Sequence, residues 1–298
     1  MSTSSSDGPV RTAWLALMAI LWLQLYAACS YGWKYGEYYS YGWYVPPLVA
    51  YFFWRIRDVW QGKPVSSPGL PLMLVGGFGV FAFLFVLRVV ERVDPRWTLP
   101  IWIQASLVVS TTLFVFRRLA GWQGVRRVLP IILFACSAIP QPTQIERAIV
   151  SALTESVVSS SVVLLGAIGM QVHAVGDQLG MMGEVVRVTE GCSGIKSAQS
   201  FLMSSLFFGE LLRLGTGARV MLVFIGLLSA WAINVVRATS LAVIRFKKGG
   251  DAFEGAHDTA GLVAFLVGSV LLLAVAGWLE ARRQKRRTVR KQTGRGLA

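Results

Sequence analysis

Long apolar runs recur from one end of this chain to the other, and that pattern excludes folding as an ordinary water-soluble globule. A bilayer crossing needs about 20 mostly apolar residues, fewer where flanking side chains snorkel. Eight segments meet or approach that requirement: Thr12–Ser30, Tyr41–Trp54, Gly69–Leu87, Leu99–Phe116, Val128–Ile139, Ile195–Leu212, Val220–Ile244 and Thr259–Leu279. The second and fifth are short and carry Pro46, Pro47 and Pro130. Composition agrees: 54% of residues are hydrophobic and only 15% charged, against about a quarter charged in a soluble domain. The fold expected is all-α, a polytopic transmembrane helical bundle of about eight spans.

Charge sets the sides. Eight of the 29 Lys and Arg fall in the last 18 residues, directly after an apolar span. A basic block there reads as a cytoplasmic anchor under the positive-inside rule, with lipid headgroups as a further partner and nucleic acid excluded despite the net charge of +14. The basic loops after Arg55, Arg117 and Arg213 fall on the same side as the tail if the eight spans alternate. Both termini are then cytoplasmic in a bacterial inner membrane. The Trp and Tyr crowd between Trp33 and Tyr44 reads as an interfacial aromatic belt. The short polar start with Arg11 before the first span reads as a retained helix rather than a cleaved signal peptide.

The segment from Thr143 to Met170 resists assignment to a crossing. Ile145, Ile149, Ala152 and Leu153 share one helical face, as in an interfacial amphipathic helix, and Val157–Met170 is apolar enough to dip into the bilayer. Parity with the tail favours a periplasmic re-entrant or surface-lying helix pair. Val172–Thr189 then reads as a small β-hairpin with turns at Gly176, Gly180 and Gly183. The expected organisation is 1–126 N-terminal helices, 127–280 a catalytic core, and 281–298 a basic cytoplasmic tail.

Ionisable residues at the ends of membrane spans are costly and mark function by default. They gather in three places: Glu190-Gly191-Cys192-Ser193-Gly194-Ile195-Lys196, Asn234-Val235-Val236-Arg237, and His257-Asp258-Thr259-Ala260-Gly261. The expected topology brings all three to the outer face. A cysteine at a helix N-terminus is favoured as thiolate. Asn234 and Arg237, at i and i+3, share a helix face. Arginine keeps its proton, so it suits stabilising an oxyanion, and histidine suits general acid–base work. Taken singly, each has a plainer reading: Cys192 as packing, Arg237 as a snorkelling side chain, His257 as a helix cap. Cys29 and Cys136 lie within spans and read as small packing residues, and His173 as a surface residue. The three cysteines form no CxxC pair, and no metal cluster or phosphate loop is visible, so no cofactor is implied.

With E-G-C-S-G-I-K-S, N-V-V-R and H-D-T-A-G in this order, and Ile139-Pro140-Gln141-Pro142 before them, residues from about Arg127 to Glu280 resemble the exosortase/archaeosortase family of membrane cysteine transpeptidases. The resemblance implies a role for each matched residue. Cys192 would attack a peptide bond near the substrate's C-terminal membrane helix and form a thioester. Arg237 would stabilise the tetrahedral intermediate, and His257 would protonate the leaving amine. Glu190, Ser193, Gly194, Asn234 and Asp258 would support them. The implied substrates are exported proteins with a C-terminal sorting signal (a PEP-CTERM-like motif, a transmembrane helix and a basic tail), the acceptor being water, a lipid or a glycan. The competing class is a multi-pass transporter with Arg237 and His257 along a pathway; it favours inverted repeats, and the chain has none.

Overall fold

The structure is a computed structural model and describes residues 7–58, 70–181, 184–187 and 194–295. The chain divides into two compact units, Met1–Thr143 and Gln144–Ala298.

The first unit contains α1 (Asp7–Tyr35), a 3₁₀ turn at Ser40–Tyr44, α2 (Val45–Arg55), α3 (Leu70–Val93) and α4 (Leu99–Cys136). Helix α4 is the centre, packed by α1, α2 and α3. Two of the polar side chains it buries make hydrogen bonds, as a low-dielectric interior favours, although Gln104 Oε1 has no partner among the described residues. Trp22 Nε1 donates to Thr112 Oγ1 at 3.0 Å, and the fully buried Gln104 donates to Glu91, which also pairs with Arg88 at 3.0 Å. The expected fourth and fifth spans both lie in α4, where two helical stretches meet across a kink at Gly121 (φ 62, ψ −157). The basic segment read as a loop there is largely helical, with the Arg117 guanidinium over the Trp122 ring at 4.2 Å.

The aromatic crowd has a more specific job than marking an interface. A helix C-terminus leaves backbone carbonyls without intrahelical partners. Beyond α4 those carbonyls meet aromatic donors: Trp33 Nε1 to Ala138 O at 2.7 Å, Tyr41 Oη to Ser137 O at 2.8 Å, and Trp102 Nε1 to Pro140 O at 2.9 Å. The Gln141 backbone N–H donates to Tyr39 Oη at 3.0 Å. The Pro140–Pro142 segment is thus tied down by side chains from α1, the 3₁₀ turn and α4 itself.

The second unit contains α5 (Thr143–Ala167), strands β1 (His173–Val175), β2 (Gln178–Met181) and β3 (Glu184–Arg187), then α6 (Ile195–Leu211), α7 (Thr216–Lys248) and α8 (Gly250–Arg295). Where a helix pair is expected, α5 is one continuous helix of 25 residues. The amphipathic start and the apolar half share one helical register, so no physical break separates them. The region expected as a hairpin is an antiparallel meander in the order β1-β2-β3. Gly180 lies within β2, paired with His173, and not in a turn; Gly183 lies outside the described residues. Leu179 and Val186 face each other in register and are buried. With Val157 and Val158 of α5 and Val235 and Ala238 of α7 they form one apolar cluster. His173 is exposed.

Helices α6, α7 and α8 pack on one another, and Leu214, Leu222, Leu272 and Ala276 form a second cluster. Arg219 pairs with the buried Glu210 at 2.7 Å across the α6–α7 connection. Arg283 of α8 donates to the carbonyls of Leu212 and Arg213 there. The expected loop from Arg245 to Asp258 is almost wholly helical. Helix α7 continues to Lys248, and Gly249 at φ 84 turns the chain straight into α8; only glycine adopts that conformation without cost.

Among the described residues, five helices are long and apolar enough to cross a membrane: Thr12–Tyr35, Leu99–Cys136, Thr143–Ala167, Thr216–Lys248 and Gly250–Lys285. That is fewer than the eight spans expected. The two short spans account for part of the difference. Helix α2 has 11 residues, about 16 Å against a hydrocarbon core of about 30 Å, and the fifth segment is the second half of α4. Helix α5 is an addition. The chain is a predominantly helical, polytopic membrane protein.

Candidate functional site

The site is assembled on α7. Asn234 and Arg237, one turn apart, project from the same side of the helix; Asn234 is buried and Arg237 half-buried. The long α7 and the single-residue turn at Gly249 bring α8 back antiparallel beside it, and this pairing sets which residues of α8 meet Arg237. His257, seven residues into α8, places Nε2 at 3.4 Å from Arg237 Nη2. A guanidinium only donates, so a hydrogen bond across this contact requires the imidazole nitrogen as its acceptor. One turn further along α8, Gly261 faces the same guanidinium. A Cβ there would lie 3.4 Å from Arg237 Nη2 and 3.6 Å from Cζ, so a larger side chain at this position would push the arginine aside. One turn before, Phe253 sets its ring 6.0 Å from the His257 ring and supports its flank. Phe253, His257 and Gly261 therefore form one face at i, i+4 and i+8.

The first motif reaches this pair through Gly194. That residue precedes α6 with φ 86 and ψ 3, a left-handed conformation. It is pressed against Asn234: a Cβ on Gly194 would fall 2.8 Å from Nδ2, 2.9 Å from Cγ and 3.1 Å from Cβ of the asparagine. Both the backbone conformation and the space require glycine. The start of α6 is thus seated on α7 one turn from Arg237. Glu190, Cys192 and Ser193 lie outside the described residues; Asp258 is in the α8 backbone, its side chain outside them.

Two features of this site have no signature in the motifs. Arg237 Nε is buried and without a hydrogen-bond partner among the described residues. An apolar groove of about 380 Å³ opens between α7 and α8 with Arg237 in its wall. Phe253 lies outside the three motifs, and its i, i+4 spacing to His257 is the only signal in the sequence that could have found it. The groove needs the pairing of two helices, which a single segment does not encode.

Neither a curated protein nor a solved structure matches this chain. A family model described as transmembrane exosortase (Exosortase_EpsH) matches residues 33–274. It takes in α5, the meander, Gly194, Asn234, Arg237 and His257. It also reaches well before Arg127, into the N-terminal helices. With most of its length covered, the chain belongs to the transmembrane exosortase family.

Proposed function

We propose that this protein is a membrane cysteine transpeptidase that cleaves C-terminal sorting signals through a thioester on Cys192. The observation that carries the reading is the contact of Arg237 with His257 at 3.4 Å, one turn from the Asn234 side chain on which Gly194 rests. Gly194 is two residues after Cys192, and covalent geometry limits that separation to about 7 Å between Cα atoms. Upstream, β3 ends at Arg187 and Val186 packs with Val235 and Ala238 of α7. Val186 before Cys192 and Gly194 after it therefore both rest on α7.

In this reading neutral His257 takes the proton of the Cys192 thiol, and the thiolate adds to the carbonyl carbon of the scissile peptide. Charge on the carbonyl oxygen is met by Arg237, which cannot lose its proton. Collapse breaks the C–N bond, and His257 returns the proton to the departing amine. A second nucleophile, an acceptor hydroxyl or amine or water, adds to the thioester carbonyl and gives its proton to His257. The thiolate leaves and is reprotonated. Asn234 holds Gly194; Glu190, Ser193 and Asp258 complete the surroundings.

The length of α8 supports the proposed location. About 25 residues separate His257 from Arg282, or about 38 Å of continuous helix, enough to carry the basic end to the cytoplasmic side and His257 to the outer side of a bacterial plasma membrane. The test is co-expression with an exported reporter that ends in a Pro-Glu-Pro motif, an apolar helix and a basic tail. Cys192→Ala and Cys192→Ser should abolish cleavage while the enzyme remains extractable and monodisperse. Normal cleavage by Cys192→Ala would sink the proposal.

A further inference from the structure

The groove beside Arg237 has a shape and position that the catalytic steps do not use. Helix α7 contributes Ala232, Val236 and Ser240, and α8 contributes Ala260, Ala264 and Val267. On α7 these positions are four residues apart, so they line one face over about 12 Å, two helical turns. Arg237 is the one charged residue in the lining. From it the groove runs back towards the middle of α7 and forward along α8, parallel to the membrane-crossing parts of both helices. Val236 and Val267 are more than half exposed. Ala232, Ser240, Ala260 and Ala264 are the small residues of the lining, and small residues let another helix approach closely by packing its side-chain ridge between the two.

We infer that this groove docks the apolar helix of the substrate's sorting signal, laid antiparallel or parallel against α7 and α8 with its scissile end at Arg237. The inference rests on the proposed peptidase reading and adds the partner and its seat. Three observations select a helix over other occupants. The groove is continuous with the Arg237–His257 pair through a shared residue. Its length matches knobs spaced i, i+4 and i+7 on an incoming helix. Its walls carry alanine and serine where a bare acyl chain would need no such close approach. A helix held there would fix the distance from the membrane to the cleaved bond, so that cleavage is positioned by depth in the bilayer.

The experiment uses the full-length Cys192→Ala enzyme in membranes, with a photo-crosslinking amino acid at Val263 or Val267 in the groove, or at Leu262 or Leu273 elsewhere on the exposed surface of α8. The probe is the reporter with the Pro-Glu-Pro motif, apolar helix and basic tail. Adducts between enzyme and reporter are expected from Val263 and Val267, at least fivefold above those from Leu262 and Leu273. In the enzyme with Cys192 intact, Ala264→Trp should lower reporter cleavage about tenfold without changing the alkylation rate of Cys192. Reporter cleavage without groove adducts, equal adducts from all four positions, or groove label recovered only on phospholipid would each overturn the inference. Groove adducts accompanied by cleavage that does not need Cys192 would leave the docking seat standing and overturn the peptidase reading instead.

Discussion

Replacing Gly194 by alanine tests the seating of the first motif on α7 most directly. Two penalties add at this position. A non-glycine residue in the left-handed region costs about 1–2 kcal/mol, and Gly194 has φ 86. The new methyl would meet Asn234 Nδ2 at 2.8 Å and Cγ at 2.9 Å, an overpacking that costs about 1–3 kcal/mol. The sum is about 2–5 kcal/mol. If the segment moves to relieve it, the correctly placed population falls roughly 30-fold to several thousand-fold, and kcat/KM for reporter cleavage should fall with it. The origin can be separated by repeating the substitution in an Asn234→Gly background. There the side-chain contacts are gone and only the backbone cost remains, so Gly194→Ala should cost about 5- to 30-fold more activity than Asn234→Gly alone. The assay is reporter cleavage in membranes, with thermal unfolding in detergent and alkylation of Cys192 as controls for folding and access. A Gly194→Ala enzyme within about fivefold of wild type, or one that loses the same factor in both backgrounds, would refute the reasoning.

Other perturbations give equally definite outcomes. Arg237→Lys keeps the charge but loses the planar donor set that faces His257; kcat should fall about 100- to 1000-fold, the scale of one oxyanion donor, with KM little changed in a reporter titration. Gly261→Ala should be tolerated, because its methyl reaches only ordinary contact at 3.4 Å from Arg237 Nη2, whereas Gly261→Leu should displace the guanidinium and lose most activity while the enzyme still folds. In the first unit, Trp33→Phe removes the donor to Ala138 O and leaves a buried carbonyl unpaired. It should destabilise the protein by about 1–3 kcal/mol, read as a lower Tm.

Much of this arrangement could be read from residues, and particular elements show why. Asn234 and Arg237 share a face because three residues is nearly one helical turn, and α7 is helical there as expected. The apolar runs place α1, α7 and α8 in the membrane by length alone. Other elements take roles that lie with distant partners. The Trp33–Tyr44 crowd resembles an interfacial belt in composition, yet its donors serve the carbonyls from Ser137 to Pro140, about a hundred residues away. Helix α5 was divided because its two halves differ in polarity; the backbone ladder ignores that difference, and one face is covered by the meander and α7.

Spacing and composition by themselves determined that the chain is a membrane protein, that Cys192 precedes a helix, and that Asn234 stands one turn from Arg237. These are properties of local periodicity, the 1.5 Å rise per residue and the preference of apolar side chains for lipid. Only the tertiary structure decided that Arg237 meets His257 and Gly261 on α8. That outcome depends on how far α7 runs, on a turn one glycine long at Gly249, and on the phase with which α8 begins. Twenty residues of intervening sequence leave that phase open, and a shift of one or two residues would turn a different face of α8 to the arginine. Helix packing closes the question, because Gly261 is where α8 leaves room for the guanidinium.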